Sequence, residues 1–163
     1  MRDNFWLKQK LDSVWNSYFP EVNRLNNIEV FFGKRAKRRL ASIRQKAHND
    51  KKSDTQIRVT GFYKDERVPE FVVETTLAHE ICHYVHGFAS PLPQFSRFPH
   101  RGDMVDKELE KRGVGDQLKE QKAWLEKNWN NIVGDAIFIP GTVRRKRKKA
   151  PAYISVLRTF GII

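Results

Sequence analysis

An α+β fold is what this chain of 163 residues predicts: a small antiparallel three-stranded sheet packed on one apolar helix, with further helices flanking it. Three observations lead there. Residues 69–86 are apolar-rich, of helical length, and bounded by Pro69 and Gly87. Three short β-type stretches lie between residues 28 and 63. Two amphipathic segments, 3–18 and 117–132, stand on either side of them in the chain.

Taken in order, residues 3–18 place Leu7, Leu11, Val14, Trp15 and Tyr18 at the 3–4 spacing of a helical core stripe, and Pro20 ends the run. Ile28-Glu29-Val30-Phe31-Phe32 reads as a strand, and Gly33 opens a turn to a second strand around 40–46, although 38–47 also fits a helix. In the third strand, 55–63, Ile57, Val59 and Gly61 alternate with Arg58 and Thr60. The helix over 69–86 has proline in its first turn and glycine just past its end. Residues 103–113 form a short helix, capped by Asp103 and ended by Gly113. Asp116 begins the last helix, whose buried side is Leu118, Trp124, Leu125 and Trp129; short extended segments follow at 136–140 and 152–156.

The chemistry-bearing feature is His79-Glu80-Ile81-Cys82-His83 inside the apolar helix. At about 3.6 residues per turn the two histidines share one face, so both imidazoles can reach a single Zn²⁺ while Glu80 stands beside the open position. Two neutral nitrogens hold such a metal, and a carboxylate that is not a ligand moves the proton of a water. Cys82 reads as a small buried helix residue.

A catalytic zinc needs a third protein ligand. His86 is on the same face but about 10 Å further along the axis than His79, which makes it a cleft-lining residue. His100 fits better, because Pro91, Pro93 and Pro99 break the helix and let the chain return. Asp106, Glu108 and Glu110 are the competing ligands. Tyr84, His86 and Arg101 are unranked candidates for holding an oxyanion.

Ala78-His79-Glu80-Ile81-Cys82-His83, followed by His100-Arg101-Gly102-Asp103-Met104 at the head of a helix, resembles the SprT/Spartan-like zinc metallopeptidases. The resemblance spans roughly residues 20–114. It implies a zincin-like fold, one Zn²⁺ held by His79, His83 and His100, Glu80 as the catalytic residue, and action on DNA-associated proteins. Two departures stand out: Arg101 displaces the glycine after His100 by one position, and with Cys82 as the sole cysteine there is no zinc ribbon. The same helix is also similar to that of the ImmA/IrrE-like peptidases, which would cut a regulatory protein. A zinc-stabilised nucleic-acid-binding module without catalysis is the third alternative.

Lys and Arg exceed Asp and Glu, 31 to 19, for a net charge of +12. The excess is clustered. One group contains Lys34, Arg35, Lys37, Arg38 and Arg39; another is Arg144, Arg145, Lys146, Arg147, Lys148 and Lys149. Such clusters neutralise phosphates and point to DNA as a partner beside a protein or peptide substrate, with a solvated basic face or an acidic protein partner as the alternative readings. Residues 1–135 are expected to form the metallopeptidase domain with its N-terminal helix, and 136–163 a basic extension. The first residues lack the apolar run of a signal peptide and no stretch is long enough for a membrane span. With a lone cysteine, this predicts a cytoplasmic monomer, with nucleoid association left open and no membrane partner.

Overall fold

The computed structural model describes residues 1–47, 50, 52–96, 98 and 101–135. The extension expected over 136–163, with its short strands and its basic run, lies outside the described residues.

Helix α1, Asn4–Tyr18, starts where the Asp3 carboxylate accepts the Trp6 amide at 2.8 Å, filling one of the unpaired donors of the first turn. It buries Leu7, Leu11, Val14 and Trp15 of the stripe the spacing predicts, while Tyr18 is half-buried. Three strands follow: β1, Ile28–Phe32; β2, Ala41–Gln45; and β3, Thr55–Val59. Strand β2 settles the open choice at 38–47 in favour of a strand. Ile28 and Val30, Ile57 and Val59, and Ala41 turn inward, so the period-2 alternation holds in each strand.

The sheet is mixed rather than antiparallel, with strand order β1-β3-β2. Strand β3 runs parallel to β1, pairing Ile28 with Thr55 and Phe32 with Val59, and antiparallel to β2, pairing Ala41 with Val59. The cause is the connection over residues 33–40. Too long for a tight hairpin, it carries β2 one strand width beyond β1 and leaves a slot that β3 fills. Thr60 holds this crossover down, giving its amide to Leu40 O at 2.7 Å while its hydroxyl bonds both Ala36 N and Ala36 O at 3.0 Å. Thr60 is therefore buried, not solvent-facing as the alternation suggested. Beyond β3 the chain tightens into a 3₁₀ turn, Gly61–Lys64, where a longer strand was expected.

Helix α2, Glu70–Val85, carries the histidines and is the centre of the molecule. It touches α1, β2, α3 (Met104–Lys111) and α4 (Gly115–Asp135). Helix α4 buries Leu118, Leu125 and Trp129 as expected, together with Gln121. The Gln121 amide donates to Val72 O at 2.9 Å and to Thr76 Oγ1 at 2.8 Å, so this buried polar side chain is satisfied on α2. Asp103 precedes α3 in a left-handed conformation (φ 56°), next to Gly102 at φ 69°, and makes no side-chain cap bond. Two successive left-handed residues turn its carboxylate away from the helix amides, contrary to the expected cap. Among the described residues no helix is long and apolar enough to cross a membrane.

Trp129 joins the elements. It is fully buried, meets Phe62 and Tyr63 edge-on at ring centroids of 5.6 and 5.9 Å, and donates its indole N–H to Lys37 O at 3.0 Å. Trp129→Ala is expected to cost about 3–5 kcal/mol in urea denaturation. Trp129→Phe keeps much of the packing but strands the Lys37 carbonyl, at about 1–3 kcal/mol.

Candidate metal centre

Twelve of the sixteen residues of α2 are buried, among them His79, Glu80 and His83. An all-round apolar helix belongs in a core, and here three ionisable side chains are carried into it. Thr75 and Thr76 fold their hydroxyls onto the carbonyls of Phe71 and Val72, both at 2.8 Å, which keeps the helix interior free of unmet donors upstream of the histidines.

The i, i+4 spacing brings the imidazoles together as predicted. Nε2 of His79 and Nε2 of His83 are 3.1 Å apart, with ring planes at 79°. Two zinc-bound nitrogens at about 2.0–2.1 Å in a tetrahedron would be about 3.3–3.4 Å apart, so the pair fits one metal ion with a few tenths of an ångström of adjustment. In metal-free protein the same contact is a hydrogen bond between one neutral N–H and the other ring's lone pair.

Glu80 is 4% exposed, and burial pushes its carboxyl up to about 8, against a smaller downward pull from Arg39. Arg39, at the end of the crossover, is therefore close enough to influence the site. Cys82 is buried too; burial raises its thiol, and the neighbouring Glu108 carboxylate adds to the effect, so it stays protonated as a packing residue.

Among the described residues no third His, Cys, Asp or Glu joins the histidine pair. Asp106 bonds Lys122 at 3.0 Å and Glu108 bonds Arg112 at 2.8 Å, while Glu110 faces solvent. None of these rival ligands is gathered at the site. His100 lies outside the described residues. His86 forms the C-cap of α2; its Nδ1 is buried without a hydrogen-bond partner among the described residues, its ring meets Phe95 at 6.3 Å, and burial lowers its pKa. Tyr84 is removed from the oxyanion candidates, because its hydroxyl is taken by Asn26 Oδ1 at 2.9 Å and by the Leu25 amide at 3.0 Å. The Arg101 side chain lies outside what is described.

The motif gave no sign of how the chain leaves the helix. Gly87, at φ 79°, lets it reverse; a Cβ there would come within 2.3 Å of Pro93 O. Phe88 then lies edge-on to His83 at 6.1 Å. A polar latch secures this exit. Asn26 Nδ2 donates to Thr55 Oγ1 at 2.9 Å, Thr55 Oγ1 to Ala89 O at 2.6 Å, and Ser90 Oγ to Tyr84 O at 2.7 Å. Asn26 and Thr55 are distant from the motif in sequence, and only the tertiary fold gives them this role.

The crossover cations are at the surface: Lys34, Arg35, Arg38 and Arg39 are exposed and Lys37 half-buried. Arg144, Arg145, Lys146, Arg147, Lys148 and Lys149 lie outside the described residues. Compared with protein-family models, curated proteins and solved structures, the chain finds no match.

Glu80 ionises at about 4.5 when unfolded and about 8 when folded, so between those values the unfolded state binds fewer protons. The stability of metal-free protein should be greatest below pH 4.5 as far as this group is concerned, and fall as pH rises towards 8. At about 1.4 kcal/mol per unit the loss is a few kcal/mol. Glu80→Gln should abolish that slope in chelator-treated protein followed by urea denaturation across pH.

Proposed function

We propose that the chain is a zinc-dependent metallopeptidase with a zincin-like arrangement of sheet and HExxH helix, hydrolysing peptide bonds in DNA-associated proteins. The observation that carries this reading is the 3.1 Å approach of His79 and His83 on a buried helix, with a carboxylate between them in sequence. His79 and His83 would hold the metal, with His100 as the third ligand. Bound zinc would supply Lewis-acid polarisation of the scissile carbonyl and acidify a water. Glu80 takes the proton from the attacking water and delivers it to the leaving amine.

A peptide substrate fits the sheet. Strand β2 is one of the two edge strands and lies against α2. An extended peptide added to its outer side would run past the histidine helix, main chain to main chain, without needing a particular sequence. The exposed crossover cations support the choice of DNA-associated substrates, since such a cluster can hold phosphates. Phosphates held on the crossover would bring an attached protein to the same side of the molecule as the site.

Purified protein is expected to carry one Zn²⁺ per chain. Zinc should be lost in His79→Ala, His83→Ala and His100→Ala and kept in Glu80→Gln. Full zinc in His100→Ala with loss in Glu108→Ala or Glu110→Ala would overturn His100 as the ligand. Glu80→Gln should fold normally and lose about two to four orders of magnitude in cleavage of a short peptide; equal behaviour of the two proteins would favour a non-catalytic zinc module.

DNA should stimulate cleavage of a DNA-bound protein, and the effect should fade with salt. Sequence-dependent cleavage indifferent to DNA would favour a peptidase aimed at a regulatory protein.

A further inference from the structure

The two faces of the sheet differ sharply. Helices α1 and α2 pack against the side where Ile28, Val30, Ile57 and Val59 are buried. The opposite face presents Glu29 and Phe31 on β1, Gln56 and Arg58 on β3 and Arg44 on β2; the Glu29 carboxylate is engaged by Lys46 at 3.1 Å and by the Gln56 amide at 2.7 Å, and Phe31 is not packed into the core. Register places these side chains together: Phe31 pairs with Arg58, and Arg58 with Ser42, two residues before Arg44.

The Arg58 guanidinium stands 5.4 Å from the Phe31 ring centroid, and the stem of Arg58 lies across Gly33, where an added Cβ would be 2.7 Å from it. Gly33 begins the crossover, so the sheet face and the cationic connection form one surface. Arg44 donates to the neutral amide oxygen of Gln56 at 2.9 Å; among the described residues neither Arg44 nor Arg58 has a carboxylate partner. Seven Lys and Arg residues, and no acid, occur between Glu29 and Asp50. Backbone bonds to Thr60 and Trp129 hold the crossover in place, so its cations are displayed from a fixed main chain.

We infer that the outer face of the sheet binds single-stranded nucleic acid, Phe31 and the Arg58 guanidinium offering planes for unpaired bases while Arg44 and the crossover cations follow the phosphates. The chemistry selects this partner. An acidic protein would be satisfied by the cations alone, whereas an aromatic ring set among arginines on an open sheet suits a base that is free to stack. Duplex DNA keeps its bases stacked internally and could use only the charges. The surface is distinct from the histidine pair and does not depend on zinc.

The test is anisotropy of a labelled oligodeoxythymidine of about 15 nucleotides, a duplex of equal length, and labelled polyglutamate. Each is titrated at about 0.15 M salt with the full chain, and with a full chain whose cations at 144–149 are replaced by Gln so that the tail does not mask the face. The single strand should bind more tightly than either competitor. Phe31→Ala should lose about tenfold for the single strand and leave the duplex unchanged, while Phe31→Trp, which keeps a stacking plane, should bind at least as well as the parent. Replacing Arg44 by Ala should reduce the slope of log K against log salt by about 0.7, at roughly 0.7 per phosphate contact. Unchanged binding by Phe31→Ala with a native circular dichroism spectrum, duplex binding equal to single-strand binding, or tighter binding of polyglutamate would each overturn the inference. Cleavage of a short peptide, measured on the Phe31 variants, should be unaffected, which separates this surface from the peptidase reading.

Discussion

The enclosure of α2 is the constraint on which the rest of the molecule depends. A helix buried over most of its length must satisfy its polar groups within the protein, and this one carries two imidazoles, a carboxyl and two threonines. The threonines return to their own backbone, Gln121 reaches in from α4, and Tyr63 meets Thr76 from the turn after β3 at 3.1 Å. What remains concentrated on one face is the histidine pair with Glu80. Leaving a carboxyl 4% exposed is unfavourable unless it stays protonated, which the upward shift of Glu80 reflects.

Charge placement follows a consistent pattern around that helix. Carboxylates on its approaches are engaged by cations: Glu70 and Glu74 by Lys10, Glu108 by Arg112, Asp106 by Lys122. These contacts are partly solvent-exposed, so each contributes little to stability. Basic residues dominate the crossover before β2.

Local periodicity was informative where contacts are local. The stripe of α1, the alternation of Ile57 and Val59, and the i, i+4 pairing of His79 with His83 all follow from 3.6- and 2-residue repeats. Strand direction did not follow. Whether β3 lies beside β2 or between β1 and β2 depends on pairings tens of residues apart, which no repeat encodes, and an antiparallel sheet was the natural expectation for three successive strands. Thr60 looked like an outward-facing residue because its hydroxyl is polar, yet it is the peg of the crossover. Asp103 had the composition of a cap and the wrong backbone conformation for one. The latch of Asn26, Thr55 and Tyr84 was illegible for the same reason as the sheet order: its members meet only in the folded chain.

The central claim is that His79 and His83 share one zinc ion. X-ray absorption at the zinc edge of the loaded protein addresses it directly. The account predicts a first shell of nitrogen and oxygen only, at about 2.0–2.1 Å, with the outer-shell scattering of at least two imidazoles, which disappears when either histidine is replaced. A sulfur shell at about 2.3 Å, or a first shell without imidazole scattering, would contradict it.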